Sequence, residues 1–147
     1  MAKSVATSNS ILALIFNGTT FANIADNAGG SPLANLYVSL HTGDPGTSGD
    51  QTVNEATYGS YGRIGVVRST TGWKVPASGS TDNNAAAGIV FVEATGVATN
   101  TISHVAIGTD ISGTGRVLYA GQLSSSRTVS AGIQPQFNQH SLVVSEI

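Results

Sequence analysis

The sequence predicts an all-β domain, a sandwich or barrel of seven or eight short antiparallel strands preceded by one short helix. Three observations lead there. Gly, Ser, Thr and Asn supply 62 of the 147 residues, the composition of turns and neutral strand faces. Only 10% of residues are charged, against about 25% in ordinary globular chains, so those neutral side chains must carry the surface polarity. From Leu33 onward apolar residues recur with a period of two, in short runs broken by turn residues. A chain of this length buries roughly two-thirds of its unfolded surface as a single domain. It contains no exact internal repeat and no composition shift that marks a boundary.

The elements follow in order. Asn9 to Asn17 reads as the helix, with Ile11, Leu12, Leu14 and Ile15 on one face, Ser8 or Asn9 to cap it and Gly18 to stop it. So short a helix is marginal alone, so its apolar face must dock. Ala22 to Ser31 is a small-residue segment read as an irregular loop or an extra turn. Leu36, Val38 and Leu40 alternate with polar partners in a strand that stops at His41-Thr42-Gly43-Asp44-Pro45-Gly46. The loop from Gly43 to about Thr57 is long and polar, a length that is usually functional or pinned by a partner. Tyr61 to Ser69 is the second strand, with Gly72-Trp73-Lys74-Val75 as its hairpin partner. Asp82-Asn83-Asn84 is a turn before the apolar run Ile89 to Val92. Strands then cover Ile102 to Ile107, Val117 to Ala120, Ser124 to Ala131, Gln134 to Phe137 and Leu142 to Val144.

The chemistry sought along this frame is mostly missing. No run approaches the roughly 18 apolar residues of a membrane span, and Met1-Ala2-Lys3-Ser4 lacks the apolar core of a secretion signal, so synthesis in the cytoplasm is expected. Six Lys and Arg against eight Asp and Glu, without clusters, provide no footprint for nucleic acid. The absence of Cys removes thiolate chemistry and Cys-based zinc sites. His41, His104 and His140 are scattered and read as structural imidazoles. Asp44, Asp50 and Glu55 share a loop but fit no calcium spacing. Gly108 to Gly115 has the glycine spacing of a phosphate loop, yet Thr114 replaces its lysine and a strand follows, so it reads as a turn. No serine sits in a nucleophile elbow, and Asn17-Gly18-Thr19 is a glycosylation pattern without the export that would use it. No carboxylate pair suits glycan hydrolysis, and the scattered aromatics form no stacking platform. No enzyme, cofactor, metal or small-molecule substrate is expected.

One pattern goes further. The short helix ending at Gly18, Leu36-Tyr37-Val38-Ser39-Leu40-His41-Thr42-Gly43-Asp44-Pro45-Gly46, Asn54-Glu55 and Tyr61-Gly62-Arg63-Ile64 resemble a family of small tailed-bacteriophage virion proteins. Ile102-Ser103-His104-Val105-Ala106-Ile107-Gly108 and Gly115-Arg116-Val117-Leu118-Tyr119-Ala120-Gly121 continue the match across most of the chain. Members are often labelled tail or tail-fibre proteins, and similar small β-sandwiches serve as capsid cement or decoration. The resemblance implies a virion component and, with the strand count, a jelly-roll-like sandwich. The chain has no heptads and no repeats of an elongated fibre. The expected role is therefore a capsid cement protein that binds the outside of the assembled major capsid protein lattice and stabilises it by linkage. The alternative is a tail, baseplate or tail-fibre-associated structural protein. The expected contact residues are Lys3 and Val5 in the amino-terminal arm, Asn23 and Asp26 in the small-residue segment, and Asp44, Asp50 and Glu55 in the long loop. Each of these segments lacks an obvious internal packing role. With so few charges to guard strand edges, pairing into dimers or trimers is expected, with no nucleic-acid or membrane partner.

Overall fold

The computed structural model of the chain describes residues 4–21, 32–47, 50–76 and 78–146. Among them stand one helix, α1 (Val5–Asn17), and the strands β1 (Asn35–His41), β2 (Ile64–Val67), β3 (Trp73–Lys74), β4 (Ser80–Asn83), β5 (Ile89–Val90), β6 (Asn100–Gly108), β7 (Val117–Val129), β8 (Gln136–Phe137) and β9 (Val143–Ser145). The protein is all-β with one short amino-terminal helix, the class that composition and period predict. One sheet runs in the order β2-β1-β6-β7, a second in the order β3-β4-β9, and β5 pairs with β8. The β1–β6, β3–β4, β4–β9 and β6–β7 pairings are all antiparallel. Contacts divide the chain into two compact units, one of Met1–Asn35, Val66–Ile89 and Phe137–Ile147, the other of Leu36–Gly65 and Val90–Gln136.

The first unit is built by docking α1 on the sheet that contains β4. The helix begins a turn earlier than its apolar period suggests because Ser4 is the cap. Its hydroxyl accepts the Thr7 N–H at 3.2 Å. At the other end Gly18 takes φ 66°, a left-handed conformation open to glycine without strain, and its N–H donates to the Ala13 carbonyl. Leu12 and Phe16 have no exposed surface, and Phe16 meets the edge of Trp73 with ring centroids 4.8 Å apart. Polar bonds fix the orientation: the Ser8 hydroxyl donates to the Glu146 carbonyl at 2.8 Å, and Asn9 Oδ1 accepts the Gly79 N–H at 2.6 Å. Arg68, just past β2, completes the helix by donating to the carbonyls of Leu14 and Ile15. A cation at this end also suits the helix dipole.

Two local readings fail in this unit for one reason. Asp82-Asn83-Asn84, a turn by residue type, carries the end of β4, because Asn83 is buried and its side chain accepts from Leu142 N at 2.8 Å and donates to Asn138 O at 2.9 Å. Trp73 and Lys74 then pair with Asn83 and Asp82 of β4, and not with the preceding strand as a hairpin. Tertiary partners override the preference of Asn and Asp for turns.

In the second unit β1 pairs with β6 from Tyr37↔Gly108 to His41↔His104, and Leu36, Val38, Leu40, Val105, Ala106 and Ile107 lie in its core. β7 joins two segments that read separately in sequence. Its ladder passes from Ile102↔Arg127 to His104↔Gln122, so Leu123, Ser124, Ser125 and Ser126 all stand opposite Ser103 alone. Such a bulge bends and twists an edge strand out of register for a passing partner strand.

Replacing Arg68 strands two helix-end carbonyls. Arg68→Ala is expected to lower the free energy of unfolding by about 1–3 kcal/mol in urea titrations, with Arg68→Lys recovering only part because an ammonium lacks the guanidinium fork. Equal stability of Arg68→Ala and wild type would remove this capping role.

Candidate functional site

The long loop after β1 and the turn between β6 and β7 form one face of the second unit, and both are held from beneath by Arg63. This guanidinium is only 7% exposed. Its Nε and Nη2 donate to the two carboxylate oxygens of Glu55 at 2.6 and 2.7 Å, while Nη1 and Nη2 donate to the carbonyls of Asp110 and Gly113 at 2.9 and 2.8 Å. A buried cation is tolerated when it is paired and well hydrogen-bonded, and the bidentate fork with the two carbonyls satisfies four of its five donors. Tyr61 adds the next layer. Its hydroxyl donates to Glu55 Oε1 at 3.0 Å and accepts the Leu40 N–H at 3.1 Å, so the carboxylate is tied back to β1. Burial drives the Tyr61 phenol well above its usual range and the Tyr58 phenol up to about 12.

Gln51 is the second fastener. Its side chain has no exposed surface, and Oε1 accepts the Asp110 N–H at 2.9 Å while its backbone N–H donates to Gly115 at 2.8 Å. It lies between two glycines. A Cβ on Gly108 would come 2.2 Å from Gln51 Cδ, and one on Gly115 would come 2.2 Å from Gln51 Oε1. The glycine spacing that mimics a phosphate loop therefore makes room for an amide of the chain itself.

His41 closes the base of the long loop. It has no exposed surface; Nδ1 lies 2.9 Å from the Val53 carbonyl and Nε2 lies 2.9 Å from the Ser39 hydroxyl. A carbonyl only accepts, so Nδ1 carries the proton and Nε2 receives the serine O–H. A serine beside an imidazole suggests a nucleophile and its base. Here Ser39 is also without exposed surface. The pair is a tether. His104 bonds the neighbouring Ser103 hydroxyl at 2.9 Å, and His140, with φ 63°, bonds Asp82 at 2.7 Å in the first unit.

The expected contact residues fall into three groups. Lys3, Asn23 and Asp26 lie outside the described residues. Val5 opens α1 and is 49% exposed. Asp44, Asp50 and Glu55 do share one loop, but they do not converge. Asp44 accepts from Gly46 N at 2.8 Å, and Asp50 accepts from the amide and hydroxyl of Thr52, which hold its pKa below the ordinary value. Glu55 turns inward to Arg63. The loop therefore has the internal packing that its sequence hides, with Gln51 and Ala56 buried in it. Among the described residues no group of three or more His, Asp or Glu is placed to hold a metal ion. What the face offers outward is the Asp44 and Asp50 carboxylates, with Ile111 64% exposed beside the pinned turn. Segments tied down by buried side chains are suited to binding, since little ordering entropy remains to be lost.

Arg63 and Gln51 escape a reading by sequence because nothing local marks a surface-type residue as buried. Glycines at both 108 and 115 are the one visible sign.

A protein-family model described as podophage GP4 fiber I protein gp80 matches residues 2–145. The chain belongs to that family and is a phage virion structural protein. None of the curated proteins compared matches it.

Two substitutions test the fasteners. Arg63→Ala, which leaves the half-buried Glu55 carboxylate without its counter-charge and still bonded to the Tyr61 hydroxyl, is expected to cost about 1–3 kcal/mol in chemical denaturation. Gly108→Ala is expected to cost about 1–3 kcal/mol from overpacking, and the loss should shrink in the Gln51→Ala/Gly108→Ala double variant, where the colliding side chain is gone. Additive losses in that cycle would show that Gln51 and Gly108 do not share the space.

Proposed function

We propose that this chain is a fibre-side structural subunit of a short-tailed phage particle, acting by binding and not by catalysis. The fibre description of its family, matched over residues 2–145, carries the reading. It favours the tail-side alternative over the capsid cement expected first, and with it a tail component as partner in place of the major capsid protein on the capsid exterior. The architecture supports a recognition module. Its two loops are fixed by buried side chains, and its glycine-rich turn is filled by Gln51. Val5, Asp44 and Asp50, with exposed Ile111, are the contacts we assign among the described residues; Glu55 acts as a positioning residue through Arg63. Copies associate as dimers or trimers. Neither nucleic acid, membrane nor a small-molecule substrate has a place in this reading.

The test is to separate DNA-filled heads from tails of purified particles and to quantify this chain in each by mass spectrometry against the major capsid protein. A few to a few dozen copies travelling with the tails are expected. Hundreds of copies remaining with the heads would restore the cement reading, and absence from both fractions would overturn any virion role.

A further inference from the structure

We propose that His41 is an acid-operated latch: taking up a proton releases residues 42–47 and 50–55 from the end of β1 while the rest of the β1–β6 ladder stays closed. The geometry makes the ring a one-state fastener. Nδ1–H is committed to the Val53 carbonyl and Nε2 to the Ser39 hydroxyl, so a second ring proton has nowhere to go without a rearrangement. For Nε2 to donate, Ser39 must turn its hydroxyl away toward Ala106 O, which stands at a long 3.4 Å. The added charge would also be buried among groups already settled. Glu55, paired across the bridge from His41, is occupied by both ends of the Arg63 fork; Arg63 itself repels a second cation, and His104 stands directly opposite on β6. Burial is the largest cause holding the His41 pKa below its ordinary value, and Arg63 and His104 add to it.

Linkage then fixes the direction. Above about pH 6.5 the ring is neutral whether the loop is open or closed, and the latch is at full strength. As pH falls below that value an opened, hydrated His41 binds a proton that the closed form refuses, so opening becomes easier by up to about tenfold per pH unit until the depressed pKa is reached. Opening is local because His41 and His104 form the last pair of the β1–β6 register, beyond which the loop is held by Thr42 N to Asn54 O and Ala56 N to Leu40 O, each at 2.8 Å. Hydrating the ring requires releasing these bonds and, for Gln51, its N–H from the Gly115 carbonyl, while the pairs from Tyr37↔Gly108 to Leu40↔Val105 stay closed.

The experiment is amide hydrogen exchange on the full chain at about pH 7.5 and 5.5, corrected for intrinsic rates, alongside an NMR titration of the His41 ring. Protection of Thr42, Gln51 and Val53 should fall about tenfold at the lower pH, with Val105 to Ile107 of β6 unchanged, and the ring should titrate below about 6.5. The loop response should vanish in His41→Gln and persist in His140→Gln, which removes a histidine of the other unit. Should His41→Gln fail to fold, the wild-type titration and the contrast between loop and β6 decide the matter. Unchanged loop protection, a response that survives His41→Gln or disappears in His140→Gln, a ring that titrates at or above the ordinary value, or joint loss of β6 protection would overturn the latch.

Discussion

Much of the second unit depends on one buried cation. Arg63 spends four of its five donors on a carboxylate and two carbonyls that come from separate stretches of chain. Without Glu55 the guanidinium would be an uncompensated charge in the interior; without the Asp110 and Gly113 carbonyls it would be left with dry donors. Each partner is therefore held in place by the cost of losing it. The loop after β1 can be long and rich in small polar residues, and still have its far end, Asp50 to Glu55, tied down, because that end terminates on this cation. Tyr61 and His41 extend the same logic back to β1, so the described part of the loop is fastened by buried and half-buried side chains.

The first unit achieves order by a different route. It has a helix too short to stand alone, whose hydrophobic face is buried against Trp73 and whose two ends are finished by Ser4 and Arg68. Apolar burial supplies the driving force, and the hydrogen bonds at Ser8 and Asn9 choose one docking angle among the many that burial alone would permit.

The period-two runs at Leu36 to Leu40 and Ile102 to Ile107 announce β1 and β6 because both are central strands whose alternation is written in their own residues. β4 is silent because its inward positions are Thr81 and Asn83, polar residues made acceptable there by the Lys74 carbonyl on the neighbouring strand and, for Asn83, by Asn138 and Leu142 dozens of positions away. β7 reads as two strands because its bulge of serines interrupts the pattern where the ladder itself is interrupted. At the candidate site, Asp44 and Asp50 are legible as outward carboxylates, whereas the pairing of Glu55 with Arg63 is not legible, since only the fold brings the two together. The Gly108 and Gly115 pair is the instructive case. Its spacing is visible in the sequence, but its meaning depends on Gln51 and not on a nucleotide.

The left-handed turn at Gly18 bears on how this chain ages. Asn17-Gly18 is the one Asn-Gly dipeptide in the sequence, the pairing in which a backbone nitrogen most readily attacks the preceding side-chain amide to form a succinimide. Here that nitrogen donates its proton to the Ala13 carbonyl. Its N–H is engaged and its position is set by the helix end, so the nucleophile is withheld for as long as the cap holds. A particle component that waits outside a cell with no means of repair thereby keeps the nitrogen beside its Asn-Gly amide bonded at the helix end.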